Sequence, residues 1–246
     1  MMKRFLLFGL VLLLSTCGTP DVSTPAPTPL AINLFYPMAL QAWADNLANC
    51  AANNPQIALY FIQSTALDAN LLTNDLALVL GQSTQDSSGT NLFQVGWEQV
   101  VVVVNKDNTL SQLTSFDVKS IYSGHITKWE NDSNLPIQVW VMPEGDPTRT
   151  IFDNAVLSSQ SLSSEAMLAP DPSAMLEAIS ENVEAIGYLP RSFLTTSDST
   201  FASKVRILQL EPSLEVKLRQ PVIAVIHGEP EGLLRELLVC LQRATP

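Results

Sequence analysis

Val100 to Val104 are five valines in a row, with no polar residue among them. β-Branched side chains crowd a helix and fit a pleated strand, and an unbroken apolar run needs cover on both faces. The run therefore predicts a buried central strand, and the rest of the chain must supply the layers around it. Residues 32–36, 57–63, 75–81, 137–142, 205–210 and 222–226 read as further strands, and 38–52, 114–123, 149–157 and 231–243 as helices. Asp171 and Pro172 mark one more helix start, from which Met175, Ile179, Val183 and Ile186 keep a helical period as far as Gly187. Strands alternating with helices define an α/β chain built on largely parallel sheets.

The first thirty residues follow a different logic. Lys3 and Arg4 precede an apolar run from Phe5 to Leu14, and Ser15-Thr16-Cys17-Gly18 follows. That order of charge, apolar stretch and small residues is the order of a secretory signal, and the run falls short of the roughly twenty residues a membrane-spanning helix needs. Residues 1–16 are expected to be a signal peptide. Leu14-Ser15-Thr16-Cys17 resembles the bacterial lipobox, which implies acylation of Cys17 and anchoring at the outer face of the cell membrane. A plain signal peptide with an incidental cysteine is the alternative. Residues 17–29, rich in Pro and Thr, carry too little apolar surface to offset their ordering entropy and read as a flexible linker.

Charge narrows the partners. The chain has 13 basic and 24 acidic residues, a formal charge of -11, and loss of residues 1–16 removes Lys3 and Arg4 but no acid, leaving -13. So acidic a surface repels nucleic acid, and no nucleic-acid partner is expected. With 46% hydrophobic residues the chain can still bury a substantial core. Three cysteines and two histidines, with Cys17 committed to lipid, make a structural zinc site improbable, and no metal or cofactor is expected. His125 and His227 sit in no ligand-spaced cluster and read as surface or capping residues. The GxSxG, HExxH, GxxxxGK[ST] and GxGxxG patterns are missing, so no catalytic residue is assigned. Trp97, Tyr122 and Trp129 read as core anchors, and Asn131-Asp132-Ser133 as a formal but unused glycosylation sequon.

Three stretches carry a more specific signal. They are Val101 to Lys106, ending in Asn-Lys; Ile121-Tyr-Ser-Gly-His-Ile-Thr-Lys-Trp129; and Ala185-Ile-Gly-Tyr188. Together they resemble the periplasmic phosphate-binding protein family over roughly residues 32–242. The resemblance implies a two-lobed type II periplasmic-binding-protein fold, with two strand crossings between lobes and the ligand in the cleft. The lobes are expected at 30–103 with 222–246, and at 104–221.

In that family the anion is held by backbone N–H groups at helix N-termini and by an Arg-x-x-x-Ser-Gly-Thr motif. The aligned segment here runs from Met142 to Thr148, so Met142 replaces Arg, Asp146 replaces Ser and Pro147 replaces Gly; only Thr148 matches. The expected ligand-binding residues are Asp146, Thr148, Arg149 and Thr150, with Ser64 and Thr65 after the second strand and Gln82 and Ser83 after the third. Arg149 either compensates by reaching into the cleft or faces solvent. Ser64 and Thr65 either line the cleft or cap a helix. The family's proton-accepting Asp has no clear counterpart, and Ser88 to Thr90 carries little weight.

The resulting expectation is a monomeric, lipid-anchored solute-binding protein, not an enzyme, that delivers a small solute to an ABC permease, with phosphate or another small molecule as ligand. A fold that kept its shape but lost transport, acting as sensor or scaffold, is the alternative. Cys50 and Cys240 fall on helices of one expected lobe and are either bridged or two buried thiols.

Overall fold

The computed structural model describes residues 28–64, 71–81, 89–129, 135–196 and 199–244. The signal peptide, Cys17, most of the linker, Thr65, Gln82, Ser83 and the 131–133 sequon lie outside the described residues. The valine run forms the second half of a far longer strand, β4 (Thr90–Asn105). Its first half is not legible as a buried strand because Asn91, Gln94, Gly96 and Glu98 break the apolar pattern. Residues Thr90 to Gln99 pair antiparallel with β11 (Arg219–His227), and Val100 to Val104 pair antiparallel with β8 (Ala185–Pro190). Two strands thus run from one lobe into the other and make a single sheet of order β2 (Ile57–Gln63), β1 (Leu30–Tyr36), β3 (Asp75–Leu80), β11, β4, β8, β6 (Gln138–Val141) and β7 (Met167–Leu168), with β9 (Val205–Ile207) also on β4. This is the two-lobed type II arrangement.

The first lobe contains β1 (Leu30–Tyr36), β2 (Ile57–Gln63) and β3 (Asp75–Leu80), with β1 parallel to both neighbours. α1 (Gln41–Ala52) and α8 (Gly232–Arg243) cover one face of this sheet, where Trp43, Leu47, Leu237 and Leu241 meet Ile32, Leu34 and Leu76. Cys50 and Cys240 are bridged, with Cα atoms 6.0 Å apart, which decides the alternative the sequence leaves open.

The second lobe begins where β4 enters its own cluster of buried side chains. Val100 to Val103, which the sequence reading places in the first lobe, pack there with Tyr122, Phe152 and Tyr188, because their strand neighbour is β8 and no longer β11. Beyond β4 come β5 (Gln112–Leu113), α2 (Ser115–Tyr122), β6 (Gln138–Val141), α3 (Pro147–Phe152) and β7 (Met167–Leu168). The lobe closes with α4 (Pro172–Glu181), β8, α5 (Arg191–Thr196), α6 (Ser199–Ala202), β9 (Val205–Ile207), β10 (Gln209–Leu210) and α7 (Pro212–Leu218). α4 stops at Glu181, short of the expected Ile186: Asn182 turns extended at φ -131° and ψ 119°, and Ile186 and Gly187 belong to β8. A Cβ on Gly187 would lie 2.4 Å from Met175 Sδ, so glycine lets α4 pack onto the strand.

Candidate functional site

The lobes meet in a concavity of about 610 Å³ between the end of β3, the start of α3 and the α7–β11 junction. Leu80 and Gly81 line it from the first lobe, Pro147 and Thr150 from the second, and Lys217 and Gln220 from the crossing. Gly81 has φ +87°, open to glycine at little cost, and its N–H donates to the Pro221 carbonyl at 2.9 Å. Ile151 on α3 packs against the cores of both lobes, which places this wall at the point where they touch. A larger concavity of about 810 Å³, near His125 and Gln160, is lined wholly by second-lobe residues. We assign the site to the first because α/β sheets present ligands at strand ends, where chain segments from two units converge.

The start of α3 is closed to an anion by its own residues. Pro147, the first helical residue, has no N–H to offer. The next two amides, of Thr148 and Arg149, donate to Asp146 Oδ1 at 2.8 and 3.1 Å. The Thr150 amide donates to the Asp146 carbonyl at 2.9 Å, and the Thr150 hydroxyl donates to the same oxygen at 3.1 Å. Every backbone N–H of the first turn is therefore taken or, at Pro147, absent. Burial raises the pKa of Asp146, which is only 8% exposed, while the hydrogen bonds from Arg149 and Thr148 pull it back in part.

The remaining expected site residues divide between cleft and core. Thr150 lines the concavity. Thr148 is fully buried, and Arg149 follows neither expected course: its Nη1 donates to the Met142 carbonyl at 2.9 Å and its Nε pairs with Asp153 at 3.2 Å. Ser64 directly follows β2, where its N–H donates to the Tyr36 carbonyl at 2.9 Å. Behind α3, Phe152 stacks on Tyr188 at 4.0 Å and tilts against Tyr122 at 4.6 Å. Burial pushes both phenols up, and Tyr188 accepts a hydrogen bond from the Met142 amide. Tyr122 and Trp129 are core residues as expected, whereas Trp97 is half-exposed and lies 4.9 Å beneath Arg219.

Sequence reasoning missed the polar centre of the hinge. Glu98, on β4 where it passes between lobes, is 2% exposed and accepts from Trp43 Nε1 at 2.9 Å, from the Gln99 amide at 3.0 Å and from the Ser192 amide at 3.2 Å. The Ser192 hydroxyl also donates to it. The carboxylate thus ties α1 of the first lobe to α5 of the second. Its signal in the sequence is an acid two positions before five valines, where a buried strand has no use for charge unless partners come from elsewhere.

Fold and cleft together define the class, and the family model of the PBP superfamily domain matches residues 38–237: the chain belongs to the PBP superfamily. Among its relatives is the phosphate-binding protein PstS of Staphylococcus epidermidis, 29% identical over 152 residues, 60% of this chain and 45% of that protein. The chain spans less than half the length of the curated relatives it matches. A structure assigned to a phosphate ABC transporter substrate-binding protein of Clostridium perfringens, with phosphate bound, superposes with a TM-score of 0.70 at 17% identity, covering 86% of this chain and 92% of that one. The regulatory domain of CcmR from Synechocystis PCC6803, in complex with 2-PG, superposes with a TM-score of 0.61 at 14% identity, covering 87% and 97%. At these identities the structures share the fold.

Proposed function

We propose that this chain is the extracytoplasmic solute-binding component of an ABC uptake system, tethered to the outer face of the cell membrane through acylated Cys17, and that free phosphate is not its solute. The likeness to PstS and the two-lobed fold support the transport part, including a permease as partner and binding without catalysis. The short apolar run and Leu-Ser-Thr-Cys sequence support the anchor. One observation carries the ligand part: the Asp146 carboxylate holds the α3 amides that a bound anion would need. A second negative charge there would meet both occupied donors and a like charge. Lys217 and Gln220 offer the cleft one cation and one amide, which suits a small polar solute.

Thermal melting across a panel of small solutes tests this reading. A cleft ligand at a hundredfold excess over its dissociation constant adds about 2.7 kcal/mol, or about 5–10 °C in a chain of this size. A rise with at least one solute other than phosphate is expected. No rise with any solute refutes a binding role, and a rise with phosphate alone refutes the altered specificity. Mass spectrometry of the mature N-terminus tests the anchor: an unmodified Cys17 would remove it.

A further inference from the structure

A third concavity, of about 460 Å³, is lined wholly by second-lobe residues, from the segments 108–113 and 126–129 and from α2. None of them lines the cleft between the lobes. Its walls are fixed by bonds of their own. Asn108, 3% exposed, accepts from the Leu110 amide at 2.9 Å and donates to the Val183 carbonyl at 2.9 Å, while Arg206 Nη2 donates to the Asn108 carbonyl at 2.6 Å and to the Leu110 carbonyl. The start of α2 is held by a capping box between Thr114 and Asp117. A site so held loses little freedom on binding.

Three of its lining groups have unused bonding capacity. Trp129 is 6% exposed, and its Nε1 has no hydrogen-bond partner among the described residues, a costly state for a buried donor. Lys128 is exposed and forms no ion pair among the described residues. Asp117 commits Oδ2 to the Thr114 amide and hydroxyl, at 3.0 and 2.7 Å, and its Oδ1 accepts nothing among the described residues. Leu110, Leu113, Ile121 and Ile126 supply the apolar part of the lining.

We infer that this concavity binds a free α-amino acid with an aliphatic side chain. Such a molecule answers each feature: its carboxylate takes the Trp129 N–H and the Lys128 ammonium, its own ammonium pairs with Asp117, and its side chain lies on the four aliphatic residues. A plain anion would be repelled by Asp117, and a plain cation would meet Lys128 and an N–H donor. The volume falls within the roughly 300–1,000 Å³ of small-molecule pockets. Because the site stands apart from the cleft, the inference does not rest on the proposed function.

Titration calorimetry of the Cys17→Ser chain with L-leucine reads this directly, and one saturable site is expected. Leucinamide, which lacks the carboxylate, and N-acetyl-leucine, which lacks the ammonium, should each bind at least about tenfold more weakly, since each loses a charge-assisted contact. Glycine should also fall about tenfold or more, having no side chain to bury. Lys128→Met removes the cation at an exposed position, so it should weaken leucine at least about tenfold with an unchanged urea midpoint. Trp129→Phe, which removes the N–H and keeps an aromatic ring, should weaken it too. No saturable heat with leucine up to millimolar concentration, equal affinity for leucine and leucinamide, or a leucine affinity that Lys128→Met leaves unchanged would each overturn the inference.

Discussion

Replacing Glu98 by alanine should loosen the joint between the lobes and destabilise the whole chain. The carboxylate accepts four donors, and three of them, Trp43 Nε1 and the Ser192 amide and hydroxyl, come from elements on opposite sides of the hinge. Trp43 is 1% exposed, so its indole N–H has no water to turn to once the acceptor is gone. Each buried donor left unpaired costs about 1–3 kcal/mol. With the three Trp43 and Ser192 donors stranded and part of the side-chain volume lost, the sum is at least about 3 kcal/mol, or at least roughly 6 °C in melting temperature for a chain of this length. Glu98→Gln is the informative companion, because it keeps one acceptor oxygen but turns an NH2 towards groups that are themselves donors; it should recover only part of the loss. Urea unfolding followed by tryptophan emission gives both values. A loss below about 0.5 kcal/mol for Glu98→Ala, the level of an ordinary surface substitution, would refute the hinge reading.

Gly96→Ala should destabilise by about 1–3 kcal/mol, since its Cβ would stand 2.2 Å from Trp43 Cη2 and α1 would have to move; an unchanged urea midpoint contradicts this. Reduction, or paired Cys50→Ser and Cys240→Ser, removes a crosslink between residues 190 apart in sequence, for which loop entropy gives about 5 kcal/mol; an equal melting temperature with and without reductant would count against it. Asp146 supplies a pH test. Because burial raises its pKa, the folded chain holds that proton more tightly than the unfolded one, so its contribution to stability falls as pH rises from the ordinary carboxylate value of about 3.9 through the raised value. Asp146→Asn keeps an acceptor for α3 and removes this cost, so its stability relative to wild type should be greatest near neutral pH and shrink on acidification, as read by urea melts at several pH values. A difference independent of pH would contradict the assignment.

Periodicity and β-branching were enough to place most strands and helices, because burial on both faces leaves an unmistakable apolar run. They failed where one segment had two roles. The first half of β4 carries polar residues for the hinge, and Val183 and Ile186 continue a helical spacing only by coincidence, after Asn182 has already left α4. The substitutions at Met142, Asp146 and Pro147 were readable as a departure from the phosphate motif, but their consequence was not: that Asp146 and Pro147 together use or remove every amide of the first turn is a matter of geometry. Arg149 shows the same limit, since composition cannot tell a guanidinium facing a cleft from one folded back onto Asp153. The Glu98 network joins residues 55 and 94 positions away, a separation at which a single sequence carries no pairing signal.

Calorimetric titration of the Cys17→Ser protein with inorganic phosphate decides whether the cleft holds this anion. Losing two charge-assisted contacts of about 1.5–3 kcal/mol each weakens binding by roughly two to four orders of magnitude. No saturable heat is expected at micromolar phosphate, with partial recovery when Met142→Arg, Asp146→Ser and Pro147→Gly are combined to free the α3 amides. Micromolar or tighter binding by the unaltered chain would contradict it.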